Sequence, residues 1–314
     1  MTGSRTTRPA NGAAGGDSPR ERPLTVLYRG PLSSCNYGCE YCPFAKRHET
    51  NEQHAHDGEQ LSRFVEWALQ RTAAPLRVFF TPWGEALTQK RYHAAMTKLS
   101  HASHVERVAV QTNLSARLDW LEDARVDRIG IWATFHPAWT PLERFVEQCR
   151  RLAAFGVHHS VGCVGFPEHK DAITQLRAAL PKQTYVWINA VKKLGYTEDD
   201  VTFFQSVDPL FRINLKAHPS LGRACQAGET VISVDGDGVA RRCHFIPTAI
   251  GNIYEPSFDD ALQPRACTNA TCGCHIGYVH LDYLELNKVF GAGLLERVPA
   301  HFDAAGVGQL APSP

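Results

Sequence analysis

The sequence contains no long apolar segment and almost no excess of charge. None of its apolar runs approaches the roughly 18 uninterrupted residues that a membrane-spanning helix needs. Lysine and arginine together number 33 against 32 aspartates and glutamates, so the formal net charge is +1. This balance gives no reason to expect nucleic acid or an anionic membrane as a partner, and we predict neither.

The first 23 residues lack both an aromatic residue and an apolar run. A secretory signal peptide needs an apolar central region, which this segment does not contain. Glycine, proline, arginine and serine dominate it, a composition typical of disorder. We predict a disordered tail over 1–23 and a cytoplasmic protein. In that compartment the ten cysteines are expected to bind metal or take part in catalysis rather than form disulfides.

Past this tail, short apolar runs alternate with helical patterns of apolar residues. Strands are predicted at 24–30, 76–80, 105–111, 129–135, 157–164 and 185–188. Helices are predicted between and after them, at 61–69, 89–99, 118–124, 141–155 and 172–180. Repeats of about 30 residues suit parallel βα units with right-handed crossovers. We predict an α/β fold, a partial (βα)6 TIM-like barrel over 24–215, with its active site at the carboxyl ends of the strands.

The character of the sequence changes from Cys225 onward. Two predicted strands, at 230–234 and 239–242, flank an Asp-Gly-Asp-Gly segment, which indicates a hairpin with a tight turn. Five of the ten cysteines lie in this part of the chain. We predict a small cysteine-rich domain over 216–290, followed by a C-terminal extension over 291–314.

A first group of cysteines follows the first predicted strand. Cys35, Cys39 and Cys42 are spaced Cys-x3-Cys-x2-Cys, and a long polar loop is predicted after them over 46–59. Three thiolates this close together can reach three corners of one iron–sulfur cube if the loop curls, and Gly38 gives the backbone that freedom. The fourth iron then stays open, as in a reactive metal site. A zinc knuckle with a nearby histidine is the alternative interpretation.

This spacing, with an aromatic residue before the third cysteine and a βα-repeat context, resembles the radical S-adenosylmethionine (SAM) superfamily over residues 24–215. The resemblance implies that Cys35, Cys39 and Cys42 are the catalytic ligands of a [4Fe-4S] cluster whose open iron chelates SAM. One electron then cleaves SAM, and the 5′-deoxyadenosyl radical abstracts a hydrogen atom from the substrate. The chemistry belongs to the cofactor, and the protein positions and shields it. A flavodoxin- or ferredoxin-type electron donor is also implied.

The same resemblance implies residues that bind SAM. Tyr41 is expected to pack near the cluster and the adenine. The family has Gly-Gly-Glu after the second strand; here Trp83-Gly84-Glu85 keeps Gly84 and Glu85. A glutamate at this point can accept a hydrogen bond from the SAM ammonium group.

Further SAM contacts are expected after the later strands. Asn113 resembles the family's Thr-Asn after the third strand, and Gly165 resembles a glycine after the fifth. Thr134 stands where many members have serine. His136, two residues later, replaces an acid; it is either an acid or base facing the substrate or a hydrogen-bonded histidine at a strand end.

A second group of cysteines resembles the auxiliary-cluster domains of radical SAM enzymes, called SPASM or, in shortened form, twitch. Its members are Cys225, Cys243, Cys267, Cys272 and Cys274. The opening spacing, Cys-x12-Gly-x4-Cys, carries the resemblance, which implies one auxiliary [4Fe-4S] cluster with four thiolates and one cysteine to spare. Which of the last three is spare stays open, and a four-thiolate zinc site is the alternative. The remaining cysteines, Cys149 and Cys163, are predicted to be core thiols.

Together these patterns predict a two-cluster radical SAM enzyme. Relatives with this architecture modify ribosomally made peptides or proteins, or oxidise small molecules such as an amino-sugar alcohol. We expect a peptide or natural-product substrate, with small-molecule dehydrogenation as the alternative. A different interpretation, a non-catalytic zinc-binding scaffold, would make both cysteine groups structural.

Overall fold

The computed structural model describes residues 22–44, 48–300 and 302. The predicted amino-terminal tail up to residue 21, and the end of the predicted C-terminal extension from residue 303, lie outside the described residues. Within the described part of the chain, no helix is long and apolar enough to cross a membrane.

Eleven strands and eight α-helices are joined by turns and short 3-10 helices over the residues described. The strands are β1 (Leu24–Arg29), β2 (Leu76–Phe80), β3 (Val105–Thr112), β4 (Ile129–Phe135), β5 (His158–Val164), β6 (Val186–Asn189), β7 (His218–Pro219), β8 (Val231–Asp235), β9 (Val239–Arg241), β10 (Ala249–Asn252) and β11 (Thr271–Cys272). The helices are α1 (Asn51–Gln70), α2 (Lys90–Ser100), α3 (Leu142–Phe155), α4 (Lys170–Ala179), α5 (Glu198–Val207), α6 (Phe211–Asn214), α7 (His275–Tyr278) and α8 (Leu286–Phe290).

Strands β1 to β6 lie side by side in chain order, and each pairs in parallel with the next. Central strands such as β2 and β4 are almost wholly buried, as expected for a parallel sheet covered on both faces. The predicted α/β partial barrel of six strands is therefore confirmed. Its strand order places the carboxyl ends of all six strands, and the loops that follow them, at one edge of the sheet.

The predicted hairpin forms and extends this same sheet. β8 and β9 pair antiparallel, and β8 also pairs in parallel with β1, with Leu27 opposite Ser233. β10 adds a further antiparallel strand, which gives the order β10-β9-β8-β1-β2-β3-β4-β5-β6. The predicted hairpin strands therefore lie against the first barrel strand, a pairing between distant parts of the chain. The boundary at residue 216 stays a prediction.

Two predicted segments differ from the structure. The polar loop predicted over 46–59 is helical from residue 51, because Thr50 and Gln53 form a capping box that starts α1 ten residues before the predicted start. Sparse apolar residues in the first turns hid this part of the helix. The helix predicted over 118–124 is a short 3-10 turn, Asp119–Asp123, too short to bury an amphipathic face.

The sheet separates two apolar cores. On β1 the side chains of Leu24, Val26 and Tyr28 pack with the helices, whereas Leu27 belongs to the core on the other face. We call that other face the inner face. Side chains of the C-terminal segment cover it, including Tyr278, Val279, Leu281, Leu286, Phe290 and Leu295. The C-terminal segment therefore closes the inside of the partial barrel.

Arg297 anchors this segment to the inner face. Its side chain is almost fully buried, and its guanidinium lies 4.8 Å from the ring centroid of Trp187 and 5.6 Å from that of Trp132. The neighbouring Glu296 is also buried; its carboxylate forms an ion pair with Arg107 at 3.5 Å and contacts His158 at the start of β5. Cation–π and ion-pair contacts of this kind fix where the segment enters the barrel.

Two glycine substitutions test the packing of the sheet against the helices and the inner face. A Cβ at Gly162 would lie 2.0 Å from the Trp187 ring, so Gly162→Ala forces an inner-face side chain to move. We expect a loss of about 1–3 kcal/mol in the free energy of unfolding. Gly58, inside α1, has room for a Cβ 3.5 Å from Arg91, so Gly58→Ala is expected to add about 0.5–1 kcal/mol. Chemical unfolding measures both, and equal effects of one sign would contradict this packing.

Candidate functional site

The first cysteine group lies on the loop after β1, beside the loop after β2. Gly84 N donates to Leu32 O and Glu85 N donates to Ser34 O, each at 3.0 Å, so the two loops continue the pairing of their strands. Cys42 N donates to Cys39 O at 3.0 Å and closes a turn. These contacts place the cysteines over the carboxyl ends of the strands, where the sequence predicts the active site.

Gly84 is required by this close approach of two backbones. A Cβ at this position would lie 2.1 Å from Ser34 O and 2.8 Å from Ser34 N, both backbone atoms. The predicted functional glycine therefore has a structural reason to be glycine, because any side chain would push the loop that carries Cys35 away from β2.

Glu49 holds the start of the cysteine loop. Its two carboxylate oxygens accept hydrogen bonds from the backbone N–H groups and the hydroxyls of Ser33 and Ser34, at 2.7–3.1 Å. Burial works to raise the pKa of Glu49, but the hydrogen bonds from Ser34 and Ser33 outweigh it, so this pKa lies below its usual range. The carboxylate is thus ionised at neutral pH and fixes the two residues before Cys35.

Glu85 is buried behind the cysteine loop, with 4% of its surface exposed. Its carboxylate accepts from the Thr112 hydroxyl at 2.7 Å, from Asn113 N at 2.6 Å and from Leu87 N at 3.1 Å. Burial raises the pKa of Glu85 despite these three donors. Glu85, the residue predicted to bind SAM, therefore links the loops after β2 and β3 through hydrogen bonds.

Asn113 links the loop after β3 to the first cysteine. Its side-chain nitrogen donates to Asn36 Oδ1 at 2.9 Å and lies 3.8 Å from Cys35 Sγ. Its side-chain oxygen accepts from Ser115 N at 3.0 Å, and Leu114 between them has a φ of 57°. A non-glycine residue in this left-handed region marks a backbone held in place by its surroundings.

Tyr41 and His136 join the end of β4 to the cysteine loop. Their rings are stacked, with centroids 6.0 Å apart, and the Tyr41 hydroxyl and His136 Nδ1 form a hydrogen bond of 2.6 Å. The same Nδ1 lies 3.4 Å from Cys39 Sγ. Burial, helped by the nearby His169, lowers the pKa of His136 to about 4, so the ring is neutral at pH 7. Two roles are predicted for His136. In the structure it forms the hydrogen bond expected of a histidine at a strand end.

Thr134 and Gly165 lie further along the same edge of the sheet. Thr134 is a buried residue of β4, two positions beyond Trp132, which belongs to the inner-face core. Gly165 N donates to Asn189 O at 2.9 Å, and a Cβ there would lie 2.7 Å from the Ile188 side chain. Phe166, the next residue, packs against Tyr41 with ring centroids 5.3 Å apart. All the predicted SAM-binding residues thus lie along the edge that carries the first cysteine group.

The thiols of this first group influence one another. Burial raises the pKa of Cys35 to about 11, and the nearby Cys39 and Cys42 thiols contribute to that rise. Burial likewise raises the pKa of Cys39, with a contribution from Cys42. Three soft sulfur donors gathered in a partly desolvated loop suit iron–sulfur or zinc binding, since bound metal holds thiolates that the protein alone disfavours.

The second cysteine group is assembled from four separate segments. Arg242, next to Cys243, donates to the backbone carbonyls of Arg265 at 2.7 Å and of Ala266, next to Cys267. Cys225 forms a backbone bridge with Leu281, and Cys272 lies on β11. Burial raises the pKa of Cys272 to about 12, and further rises come from Cys243, Cys225, Cys274 and Cys267. The five cysteines therefore converge on one region.

Cys274 differs from the other four. Cys225 and Cys243 each have Cys267 among the groups that raise their pKa. Burial also raises the pKa of Cys274, but its charged neighbours are Arg29, Arg297 and Lys192, which oppose the rise. Cys274 also keeps solvent-accessible surface within this densely packed surrounding. It is also the one exposed member of this group, whereas the other four are half-buried.

As they stand, no three or more His, Cys, Asp or Glu side chains among the described residues are grouped to hold a single metal ion. A separate cavity of about 540 Å³ opens among the amino ends of β1, β2 and β8, with Arg22, Arg77 and His280 among its lining residues. It lies at the opposite edge from the predicted SAM-binding residues.

The fold is shared with a known enzyme. Polyhistidine-tagged anSMEcpe with bound AdoMet, a radical SAM enzyme, matches with a TM-score of 0.50 and 13% identity, over 76% of this chain and 79% of that one. Native anSMEcpe with bound AdoMet and Cp18Cys peptide matches at 0.48, with 15% identity over 76% and 82%. BtrN in complex with AdoMet and 2-DOIA matches at 0.33, with 15% identity over 76% and 86%.

No protein-family model matches the sequence, and no curated protein matches it. The likeness to the tagged anSMEcpe shows that this chain has the fold of a radical SAM enzyme.

Sequence reasoning missed several residues that the fold brings to this edge. Glu49 lies in the segment predicted as a polar loop, 46–59, where no single residue stands out. Arg29 ends a strand of otherwise buried residues, and a charge at the carboxyl end of a parallel strand is the signal that could have singled it out. Trp83, which departs from the family pattern, stacks over Arg29 with 4.2 Å from guanidinium to ring centroid.

Replacing Glu49 tests whether its carboxylate holds the cysteine loop. Glu49→Gln leaves one acceptor oxygen for two pairs of donors, so we expect amide exchange at Ser33 and Ser34 to accelerate roughly tenfold. In the wild-type protein their protection should be complete above the ordinary pKa of 4.5 and fall as pH drops through the lower pKa of folded Glu49.

Hydrogen-exchange protection factors measure both effects, and Glu49→Gln should lose the pH dependence. Glu59→Gln, an exposed residue on α1, is the matched control and should exchange like the wild type. Equal protection in all three proteins would show that Glu49 does not hold the loop.

Proposed function

We propose that this protein is a radical SAM enzyme. The observation that carries the proposal is the position of Cys35, Cys39 and Cys42: a loop held over the carboxyl ends of a six-stranded parallel sheet that has the fold of an AdoMet-binding radical SAM enzyme. A zinc knuckle of a scaffold protein would not need the cysteines at this edge of the sheet.

The residues present suit a [4Fe-4S] cluster at the first group. Three thiols lie on one curled loop, and the side-chain nitrogen of Asn113 lies 3.8 Å from Cys35 Sγ, a position from which an N–H donor tunes a cluster ligand. When bound, such a cluster supplies the electron that cleaves SAM, and the resulting 5′-deoxyadenosyl radical abstracts a hydrogen atom from the substrate. The chain's own part is to bind SAM, orient it and keep water away.

The residues that would position SAM lie around these thiols. Glu85 presents a buried carboxylate whose lone pairs are only partly used by its three donors, which leaves acceptor capacity for the SAM ammonium group. Thr134 and Gly165 lie along the same edge of the sheet, and Phe166, the residue after Gly165, packs against Tyr41. We propose these residues, with Gly84 and Asn113, as the SAM site.

We further propose that Cys225, Cys243, Cys267 and Cys272 hold an auxiliary [4Fe-4S] cluster in a twitch-like arrangement, and that Cys274 is the spare cysteine. Cys243 and Cys267 are among the groups that raise the pKa of both Cys225 and Cys272, which supports this set. Cys274 is the exposed member of the five, which supports its exclusion. Arg242 would hold the segments carrying Cys243 and Cys267 together through its hydrogen bonds to the carbonyls of Arg265 and Ala266.

For the substrate, we propose a peptide or natural product that enters between the two cysteine groups, with an electron donor of the flavodoxin or ferredoxin type. Dehydrogenation of a small molecule is the second candidate. Both place the substrate at the carboxyl ends of the strands, within reach of a radical generated at the first group.

Production of 5′-deoxyadenosine tests the proposed reaction. The anaerobically reconstituted protein, reduced with dithionite and given SAM, should form 5′-deoxyadenosine, quantified by chromatography. Cys39→Ala should abolish this product, because two remaining thiolates do not hold the cluster. Cys149→Ala, which removes a buried thiol from α3, is the matched control and should retain activity.

Iron analysis separates the enzyme from a zinc scaffold. Two clusters require about eight iron atoms per chain, whereas a scaffold would carry one or two zinc ions. A protein that binds zinc after reconstitution and makes no 5′-deoxyadenosine would refute the proposal.

The auxiliary ligand set is tested by comparing two neighbouring cysteines. Cys272→Ala should lose about four of the eight iron atoms, the content of one cluster, while Cys274→Ala should keep all of them. Iron and sulfide analysis with Mössbauer spectroscopy gives the count. Loss of iron in Cys274→Ala, with full iron in Cys272→Ala, would reverse the assignment.

A further inference from the structure

The loop after β4, residues 136–140, packs directly on the cysteine loop. His136 O accepts hydrogen bonds from Trp139 N at 2.9 Å and from Thr140 N at 3.1 Å, so the chain turns tightly at the end of the strand. Both Trp139 and Thr140 contact residues 36–38, the segment between the first two cysteines. The two loops therefore meet at the segment that separates those two thiols.

Tyr37 is held by this turn on three sides. Its ring stacks on that of Trp139, with centroids 5.7 Å apart and planes inclined by 21°, and meets the ring of His136 edge-on at 5.8 Å. Its hydroxyl forms a hydrogen bond with the hydroxyl of Thr140, a residue that is only 6% exposed. Stacking fixes the ring, and the hydrogen bond to a buried partner fixes its far end. The loop after β4 therefore sets the conformation of Tyr37.

The backbone of the same residue contacts the first thiol. Tyr37 N donates to Cys35 Sγ at 3.4 Å, and among the described residues this nitrogen has no other hydrogen-bond partner. An N–H group directed at a thiolate stabilises its negative charge, and at a cluster ligand it favours the reduced, more negative form of the cluster. Tyr37 thus contacts the loop after β4 with its side chain and Cys35 with its backbone.

Gly38, the next residue, allows the indole to lie this close to the cysteines. A Cβ on Gly38 would lie 3.2 and 3.3 Å from two ring atoms of Trp139. The φ angle of Gly38 is not positive, so the backbone freedom that the sequence predicts for it is not what this conformation uses. The absence of a side chain instead makes room for the indole. Trp139 remains 46% exposed, so it covers the cysteine loop from the solvent side.

We propose that Tyr37 is a positioning residue for the first cysteine group and that Trp139 holds it in place, so that the Tyr37 N–H is directed at Cys35 Sγ. This inference rests on the proposed function and deepens it. It names the residues that fix one cluster ligand and make the reduction potential of a cluster bound there less negative. Neither residue needs to touch SAM or the substrate for this role.

Hydrogen exchange at the Tyr37 amide measures the contact directly, on the full chain as purified under anaerobic conditions. We expect this amide to exchange roughly threefold to tenfold faster in Trp139→Ala than in the wild type, because the lost stack makes local opening easier by about that factor. Trp139→Phe keeps a ring and should stay close to the wild type. Trp83→Ala is the matched control, since Trp83 is 41% exposed at the same edge but packs on Phe44 and Arg29.

The hydroxyl pair gives a second, milder test. Tyr37→Phe and Thr140→Val each remove the same hydrogen bond, so each should accelerate exchange at residue 37 severalfold. The double variant should be no faster than the faster single variant, because the two changes are coupled. Tyr283→Phe is the control, since its hydroxyl donates to Pro219 O at 3.1 Å, away from this loop.

A reduction potential separates positioning from general support of the loop. It is measured by redox titration with electron paramagnetic resonance in the reconstituted Cys272→Ala protein, which the proposed ligand set leaves with the first cluster alone. Adding Trp139→Ala should shift the potential to a more negative value, because the N–H contact with Cys35 weakens. Adding Trp139→Phe instead should retain the original potential, and adding Trp83→Ala should not change it.

Three results would overturn the proposal: wild-type exchange at Tyr37 in Trp139→Ala, faster exchange that Trp139→Phe does not correct, or a potential that Trp139→Ala leaves unchanged. The exchange measurement needs no turnover. Absence of 5′-deoxyadenosine in the activity assay would therefore defeat the proposed function, whereas exchange at Tyr37 would still decide whether Trp139 positions this residue.

Discussion

The backbone pairing between the loop after β1 and the loop after β2 is the contact on which the candidate site depends. Leu32 and Ser34 accept hydrogen bonds from Gly84 and Glu85, and this is possible because position 84 has no side chain. The pairing carries the cysteine loop across the end of the sheet. From there Glu85, Thr112 and Asn113 form a second layer of hydrogen bonds beneath it. One close approach of two backbones thus decides where three thiols lie.

The second constraint is the filling of the barrel interior by the C-terminal segment. A sheet of six parallel strands leaves an apolar inner face that must be covered. Here α7, α8 and the residues up to Arg297 cover it, and the same segment begins directly after Cys272 and Cys274. The second cysteine group is therefore fixed relative to the barrel by the packing that completes the core.

The departures from the family pattern acquire physical explanations. Trp83 replaces a glycine, and its ring covers the guanidinium of Arg29 while packing on Phe44 with centroids 4.4 Å apart. His136 replaces an acid, and its neutral ring forms a hydrogen bond with the Tyr41 hydroxyl beside Cys39. Trp83 and His136 thus each make aromatic or hydrogen-bond contacts within the loops around the first cysteine group.

The sequence by itself determined the alternation of strands and helices, the hairpin and the two cysteine groups, because periodicity and spacing are properties of neighbouring residues. It missed the start of α1, since a capping box supports polar turns that show no apolar stripe. It also left open which cysteine is spare, and it overlooked Glu49 and Arg29 at the edge of the sheet that carries the first cysteine group. Only the tertiary structure decided that β8 joins β1 and that the C-terminal segment covers the inner face of the sheet. Those relations join segments far apart in the chain, and burial, charge and backbone pairing select them only once the sheet has formed.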